Sequence, residues 1–425
     1  MIAFEKSRSA VFAGLLLAAL TAATPASAGG FAVREQSAEF QGMSFAGDAA
    51  AGGGLSGMFW NPAVAGYAPK GYSSESDAAG IFGHVNETAL VGSTFYGAPG
   101  LSPVSGNIAP PALVPGSYMA YRVNPSTVFA LSVNSPFGLT TKVAAPWVGQ
   151  LLEKTSVIKT YDYVPTVAIQ VAPGLTVGAG LQIEQMTGHL TNALAATPTA
   201  PIAAVDGEDT AVGFTAGINF MPSASTSIGL GYRSEISHKL SGNLSTSGVS
   251  NAVTAEIKLP DVVTLSLRQS VAKNVRLDGT VEWTHWSDLQ KLDVTCSGAG
   301  LPFCSVPVPV SLPLGWHDSW MFALGGEYDA SKNLTVRSGF AYELSPIQNP
   351  SERTPRLPDQ SRLWFSGGAT YALNNMLALD LAYSHIWGLG GDINYSTATG
   401  GTLVANVSSS VDIVSAAVKF KLGGP

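Results

Sequence analysis

The sequence predicts an all-β protein, a 14-stranded antiparallel transmembrane β-barrel whose lumen holds a small helical N-terminal hatch. Three observations lead there: an export leader, hydrophobic segments that alternate with period two, and a composition suited to lipid. In the leader, Lys6 and Arg8 precede an apolar stretch from Val11 to Leu20, and Ala26-Ser27-Ala28 offers small residues for cleavage before Gly29. Beyond Gly29 there is no run of 18 or more uncharged apolar residues, which excludes a helical span on length. At 46% hydrophobic and 12% charged residues, with mean hydropathy +0.22, the chain is too apolar for an ordinary soluble secreted protein of this size.

The expected organisation is a signal peptide over 1–28, a hatch or plug over 29–70, and the barrel over 71–425. Residues 29–70 do not alternate. They are rich in Gly and Ala, offer a short helix near Ser37 to Phe45, and end in Met58-Phe59-Trp60-Asn61-Pro62-Ala63. Such a segment ahead of a wide barrel reads as its plug, since an open barrel of that size would leak.

Alternation marks the strands that follow. Val212, Phe214, Ala216, Ile218 and Phe220 share one face, while Gly213, Thr215, Gly217 and Asn219 share the other. Tyr161, Tyr163, Val167 and Ile169 oppose Thr160, Asp162, Thr166 and Gln170, and Leu277, Val281 and Trp283 oppose Asp278, Thr280 and Glu282. Charges such as Asp162, Glu282 and Asp380 sit in mid-strand on the polar face, as in a barrel with lipid outside and polar groups within. A sheet in lipid must close to satisfy its edges. Strands are predicted near 72–84, 112–123, 126–139, 155–171, 174–191, 207–221, 226–245, 252–270, 274–295, 314–330, 334–348, 359–373, 376–393 and 404–422. The last strand points Val414, Ala416, Val418, Phe420 and Leu422 outward, and the chain then ends in Gly-Gly-Pro rather than on an aromatic residue.

Several motifs carry a family resemblance. Gly30-Phe31-Ala32-Val33-Arg34-Glu35-Gln36-Ser37 with Phe59-Trp60-Asn61-Pro62-Ala63, Ser135-Pro136-Phe137-Gly138-Leu139, Gly229-Leu230-Gly231-Tyr232-Arg233-Ser234, Leu259-Pro260-Asp261, Glu282-Trp283-Thr284-His285-Trp286-Ser287 and Pro355-Arg356-Leu357-Pro358-Asp359-Gln360-Ser361-Arg362 run in order along the chain. Together they resemble the FadL family of outer-membrane transporters for long-chain fatty acids and other hydrophobic compounds. The resemblance implies a hatch that blocks the lumen, an outer apolar groove, a tighter pocket deeper in, and a kink in the third strand that opens a side window to the bilayer. Lateral exit is physically sensible, because each buried methylene is worth about 0.8 kcal/mol.

The same comparison assigns expected roles. Asn134-Ser135-Pro136-Phe137-Gly138 is either an extracellular turn or the kink, since Pro136 cannot donate to a ladder and Gly138 weakens one. Phe31 resembles the hatch phenylalanine that reaches toward the deep pocket, and Phe59, Trp60 and Phe137 are further expected ligand contacts. Asn61, Pro62 and Ala63 are expected to anchor the hatch, with consequences for gating. Trp147 and Leu151 belong to an apolar loop expected to face outside, either a landing groove or loop packing. For a ligand carboxylate the candidate cations are Arg233, Arg268, Arg353, Arg356 and Arg362, with Arg233 and Arg356 carried forward. Leu181-Gln182-Ile183-Glu184-Gln185 lacks the basic residue that fatty-acid carriers of the family place there, which leaves room for an uncharged hydrocarbon.

Cys296 and Cys304, the two cysteines, are expected to close a loop by a disulfide in an oxidising compartment. No cofactor, metal site or catalytic residue is expected. Gly52-Gly53-Gly54-Leu55-Ser56-Gly57 matches a dinucleotide fingerprint, with Asp77 twenty residues on, but no strand precedes it. The net charge is −7, and the leader's Lys6 and Arg8 against Glu5 leave the remainder one unit more acidic, which argues against nucleic acid. The expected partners are a hydrophobic small molecule and outer-membrane lipid, with the protein acting as a monomer in the outer membrane. A general porin or structural barrel is the rival reading.

Overall fold

A computed structural model describes residues 29–296 and 310–422. The leader, Cys304 and the terminal Gly-Gly-Pro lie outside the described residues. Twenty antiparallel strand segments form one sheet. They are β1 (Gly71–Ala89), β2 (Ala112–Asn124), β3 (Thr127–Asn134), β4 (Gly138–Lys142), β5 (Thr155–Ala172), β6 (Leu175–Ala193), β7 (Ile202–Ser223), β8 (Thr226–Arg233), β9 (Ile236–Thr246) and β10 (Val249–Leu259). There follow β11 (Val262–Ala272), β12 (Val275–Thr284), β13 (Lys291–Cys296), β14 (Val310–Pro313), β15 (Ser319–Asp329), β16 (Leu334–Glu343), β17 (Arg362–Ala372), β18 (Leu377–Gly388), β19 (Gly391–Thr397) and β20 (Gly401–Leu422). Six of the wall strands are interrupted midway, so the twenty segments make the 14 strands that the alternation predicts. The sheet closes through β1 and β20, which pair from Tyr72↔Leu422 to Ala89↔Ala405.

Burial follows the predicted faces. Val212, Phe214, Leu324 and Leu381 point outward and are more than half exposed, at 66%, 53%, 74% and 63%, while Asp162, Glu282 and Asp380 are buried inside. Aromatic residues collect at both rims: Tyr72 lies across from Tyr121 and Tyr121 from Phe129, and at the other end Trp283 lies across from Trp320. Short turns such as 125–126 and 224–225 mark one end, and long loops such as 90–111 and 344–361 mark the other. No helix among the described residues is long and apolar enough to cross a membrane.

Three expectations change in detail. The N-terminal helix α1 is only Ala38–Gln41, capped by the Ser37 hydroxyl, because Ser44 and Phe45 turn to φ 51° and 66° and end it. Pro136 does not begin a turn, for the chain keeps its direction through residues 135–137. Asn134 faces Asp162 and Gly138 faces Lys159, so four steps on one strand match three on β5 and the segment is a bulged kink. The loop apolar residues Trp147, Val148 and Leu152 are buried rather than exposed, packed with Ile393, Tyr395 and Leu403 from neighbouring connections. Cys296 ends β13 and is disulfide-bonded.

Candidate functional site

Residues 29–70 are held by inward-facing groups from all round the wall. Asn61 caps the 3₁₀ turn Pro62–Tyr67: its Oδ1 accepts from the Ala63 N–H at 3.0 Å, and its Nδ2 donates to the Ala49 and Ile218 carbonyls at 2.7 and 3.0 Å. Asp77 Oδ1 accepts from the Ala38 N–H, Thr280 Oγ1 from Gly47, and Asn219 Oδ1 from Ala51. Where wall and segment meet backbone to backbone the wall carries glycine. A Cβ on Gly229, Gly231 or Gly339 would strike the Ala49, Trp60 or Met43 carbonyl.

Above this plane the polar-inside rule inverts. Leu139, Leu240, Ile257 and Leu259 are buried with Trp286, Leu314, Trp316, Ile347 and Leu357. The chain delivers Phe31 into the middle of them. Its ring lies 4.9 Å from Trp286, 5.8 Å from Trp316 and 5.9 Å from Phe137, with Trp286 and Trp316 edge to face at 5.0 Å. Both tryptophans occupy interruptions in the wall, between β12 and β13 and between β14 and β15, where the chain leaves the sheet and side chains can turn inward.

Beside this apolar cluster the wall is incomplete. β2 pairs with β3 only from Ser117↔Val133 onward, so the Ala112 to Gly116 stretch is bonded to β1 alone while β4 is bonded to β5. The slot is bounded above by the bond from the Lys142 N–H to the Ile108 carbonyl. Pro110, Pro111 and Pro115 offer this edge no N–H, which removes donors that would zip it shut. A cavity of about 70 Å³ lies there, lined by Val85, Pro110, Thr140, Leu357 and Ile386 among others. The kink is tied to the N-terminal segment: the Val33 N–H donates to the Pro136 carbonyl and the Gly138 N–H to the Phe31 carbonyl, both at 2.8 Å.

Below lies charge. A cavity of about 750 Å³ at the short-turn end is lined by Glu39, Glu75, Arg268, Arg276, Glu327 and Lys419. Lys419 bonds Glu39 and lies 2.7 Å from Asp380 and 3.9 Å from Glu75, so the one trio of buried carboxylates close enough for a metal, among the described residues, already holds an ammonium. Arg337 Nη2 reaches Glu327 at 3.0 Å and Glu39 at 3.5 Å.

The family described as outer membrane protein transport protein (OMPP1/FadL/TodX) matches residues 19–422. The chain belongs to this family. It is 25% identical to the long-chain fatty acid transport protein of Escherichia coli K12 over 438 residues, 92% of this chain and 94% of that one. It is also 25% identical to outer membrane protein P1 of Haemophilus influenzae over 421 residues, 88% and 89% of the two chains. A FadL homologue of Pseudomonas aeruginosa superposes with TM-score 0.83 at 21% identity, covering 92% of this chain and 99% of that one. The toluene transporter TodX of P. putida superposes with TM-score 0.71 at 15% identity over 91% and 99%. This FadL/TodX family member is therefore an outer-membrane transporter of hydrophobic compounds, in a family of transporters and channels rather than enzymes.

The expected site residues fall into three places in this FadL-type barrel. Phe31 and Phe137 meet in the apolar cluster with Trp286 and Trp316. Phe59, Trp60 and Arg233 belong to a different cluster: Arg233 stacks on the Phe59 ring at 4.5 Å, donates to the Phe59 carbonyl at 3.1 Å, and pairs with Asp162 at 2.6 Å. Trp147 is fully buried and Leu151 half-buried in the outer loops. Of the arginines, Arg233, Arg268 and Arg362 pair with carboxylates and Arg353 donates to three carbonyls. Arg356 has only the Thr155 carbonyl at 3.3 Å and Ser156 Oγ at 3.2 Å, and no carboxylate in ion-pair reach among the described residues. Sequence reasoning assigned no role to Trp286 or Trp316; the failing alternation around each was the available signal.

Proposed function

We propose that the protein takes up long-chain fatty acids passively, holding the carboxylate at Arg356 and the acyl chain in the Phe31, Phe137, Trp286 and Trp316 chamber, and releasing the ligand sideways between β2 and β4. Residues 29–70 act as the hatch, with Asn61, Pro62 and Ala63 anchoring it and Pro136 and Gly138 forming the kink. One observation carries the reading: the buried apolar cluster adjoins a slot in the wall, whereas the axial route below crosses Arg268, Glu327, Arg337 and Lys419. An acyl chain driven along that charged route would lose about 0.8 kcal/mol of burial per methylene. The relatives' fatty acids fit an arginine with unused donors beside Leu357. Mass spectrometry of protein extracted in mild detergent tests the cargo, with co-purifying fatty acid the expected result and only alkanes or aromatics the result against it.

An uncharged hydrocarbon is the second reading. It is favoured by the absence of a basic residue on Leu181-Gln182-Ile183-Glu184-Gln185 of β6 and by the toluene transporters of the same fold. A general porin is the remaining class. Deleting residues 29–70 should raise ion conductance sharply in a hatched transporter and change little in a porin.

A further inference from the structure

We propose that cleavage before Gly29 creates the cation that seats the hatch: the new α-ammonium group is the partner of a buried carboxylate cluster built from Glu35 and Glu343. The inference rests on the hatch reading above. Gly29 and Gly30 are both buried. Gly29 lies against Glu343, so a Cβ at Gly29 would collide with Oε1 of that carboxylate. Gly30, at φ +67°, is wedged against the indoles, where a Cβ would come within 2.8 Å of Trp286 and 3.0 Å of Trp316. The backbone is thereby held with Gly29 against the Glu343 carboxylate, and at Gly30 the positive φ favours glycine.

The cluster is short of positive charge. Arg34 bonds Glu282 and, at 3.1 Å, Glu343; Arg362 bonds Asp359 and lies 3.7 Å from Glu343. Glu35 lies within electrostatic reach of Glu343, Arg34 and Arg362. Arg34 and Arg362, with Arg353 reaching Asp359 alone and shared with Asp392 and Glu352, thus face four carboxyl groups, Glu35, Glu282, Glu343 and Asp359, all buried. Glu35 Oε2 is fully enclosed and has no hydrogen-bond partner. Removing a carboxylate from water without a partner is costly. In the precursor the Gly29 nitrogen is a neutral amide with a single hydrogen, whereas after cleavage it carries a unit charge and three donors. Processing therefore delivers a charge and two extra donors beside Glu343, in the cluster that also holds the unpartnered Glu35 oxygen. With the leader attached, a further 28 residues would have to leave from this buried position.

The test uses the full-length protein purified from outer membranes. Its intact mass should correspond to a chain starting at Gly29. Labelling with 2-pyridinecarboxaldehyde, which reacts only with a terminal α-amine, should run at least tenfold slower on the folded barrel than on the urea-unfolded chain. E35Q should speed labelling of the folded protein, and one glycine inserted between Ala28 and Gly29, which displaces the ammonium by a residue, should do the same while the barrel still folds. A start other than Gly29, or folded and unfolded chains labelled at equal rates, would overturn the proposal. Equal labelling combined with high conductance of the 29–70 deletion would leave the hatch standing and reject this inference alone.

Discussion

Gln36 and Ser135 clasp each other. Gln36 Nε2 donates to the Ser135 carbonyl at 2.8 Å and the Ser135 N–H donates back to Gln36 Oε1 at 3.3 Å, while the Gln36 carbonyl accepts from the Tyr118 hydroxyl on β2 at 2.8 Å. One residue of the 29–70 segment thus touches both sides of the slot. Gln36→Ala leaves the kink's backbone groups unpaired, at a cost of about 1–3 kcal/mol. The expected outcome is a severalfold fall in uptake with the folded, heat-modifiable barrel retained on gels; undiminished uptake would separate hatch from slot.

The kink itself can be straightened. A β-branched side chain in place of Gly138 favours regular strand geometry where the bulge now lies. Gly138→Val should slow uptake without lowering the unfolding temperature of the barrel by more than a few degrees. Normal transport rates in this variant would count against the side exit.

Asn61 satisfies three backbone groups at once, and it is fully buried. Asn61→Ala strands the Ala49 and Ile218 carbonyls and the Ala63 N–H, and should destabilise the hatch by about 1–3 kcal/mol. Open-channel noise in planar bilayers is the measurement, and silent recordings would show that the anchor lies elsewhere.

Arg356 separates the two cargo readings. Charge-assisted hydrogen bonds are worth about 1.5–3 kcal/mol, so Arg356→Ala should weaken laurate binding by roughly 10- to 150-fold and leave dodecane binding unchanged. Equal losses for both ligands would assign Arg356 to packing.

Glu153, in the outer loop before β5, supplies a pH dependence. Burial pushes its carboxyl up to about 7, against the Thr141 hydroxyl and the Arg356 charge, which hold it down. Glu87 from β1, Arg356 from the loop before β17, and Tyr395 from β19 are the ionisable groups around this region. A carboxyl raised on folding binds more protons in the native state, so its contribution is present below the ordinary carboxylate range and lost as pH rises toward 7. Ionised Glu153 also competes with a ligand carboxylate for Arg356. Laurate affinity should therefore fall between pH 6 and about 8, and Glu153→Gln should flatten that profile.

The barrel was legible because lipid enforces a rule on every outward position: Val212, Phe214, Leu265 and Leu381 alternate with polar neighbours for 14 strands. The kink was not separable from a turn, because Pro136 and Gly138 suit both and only the register against Asp162 and Lys159 decides. Arg233 looked like a ligand cation, yet Asp162 and the Phe59 ring, distant in sequence, occupy it. Trp286 and Trp316 come together only once two interrupted strands are neighbours, which no local pattern announces.

Helix α1 sits across the junction between the first and final strands, and Gln41 holds its β20 side. Its Nε2 donates to the Ile413 carbonyl at 3.3 Å and its Oε1 accepts from Ser415 on β20 at 2.6 Å, while its neighbour Ala38 is held by Asp77 on β1. The 29–70 segment thus bridges the two strands that close the sheet. The seating of this segment therefore depends on a closed circumference, because its partners Asp77 on one side and Ile413 and Ser415 on the other come within reach together only when β1 and β20 are joined.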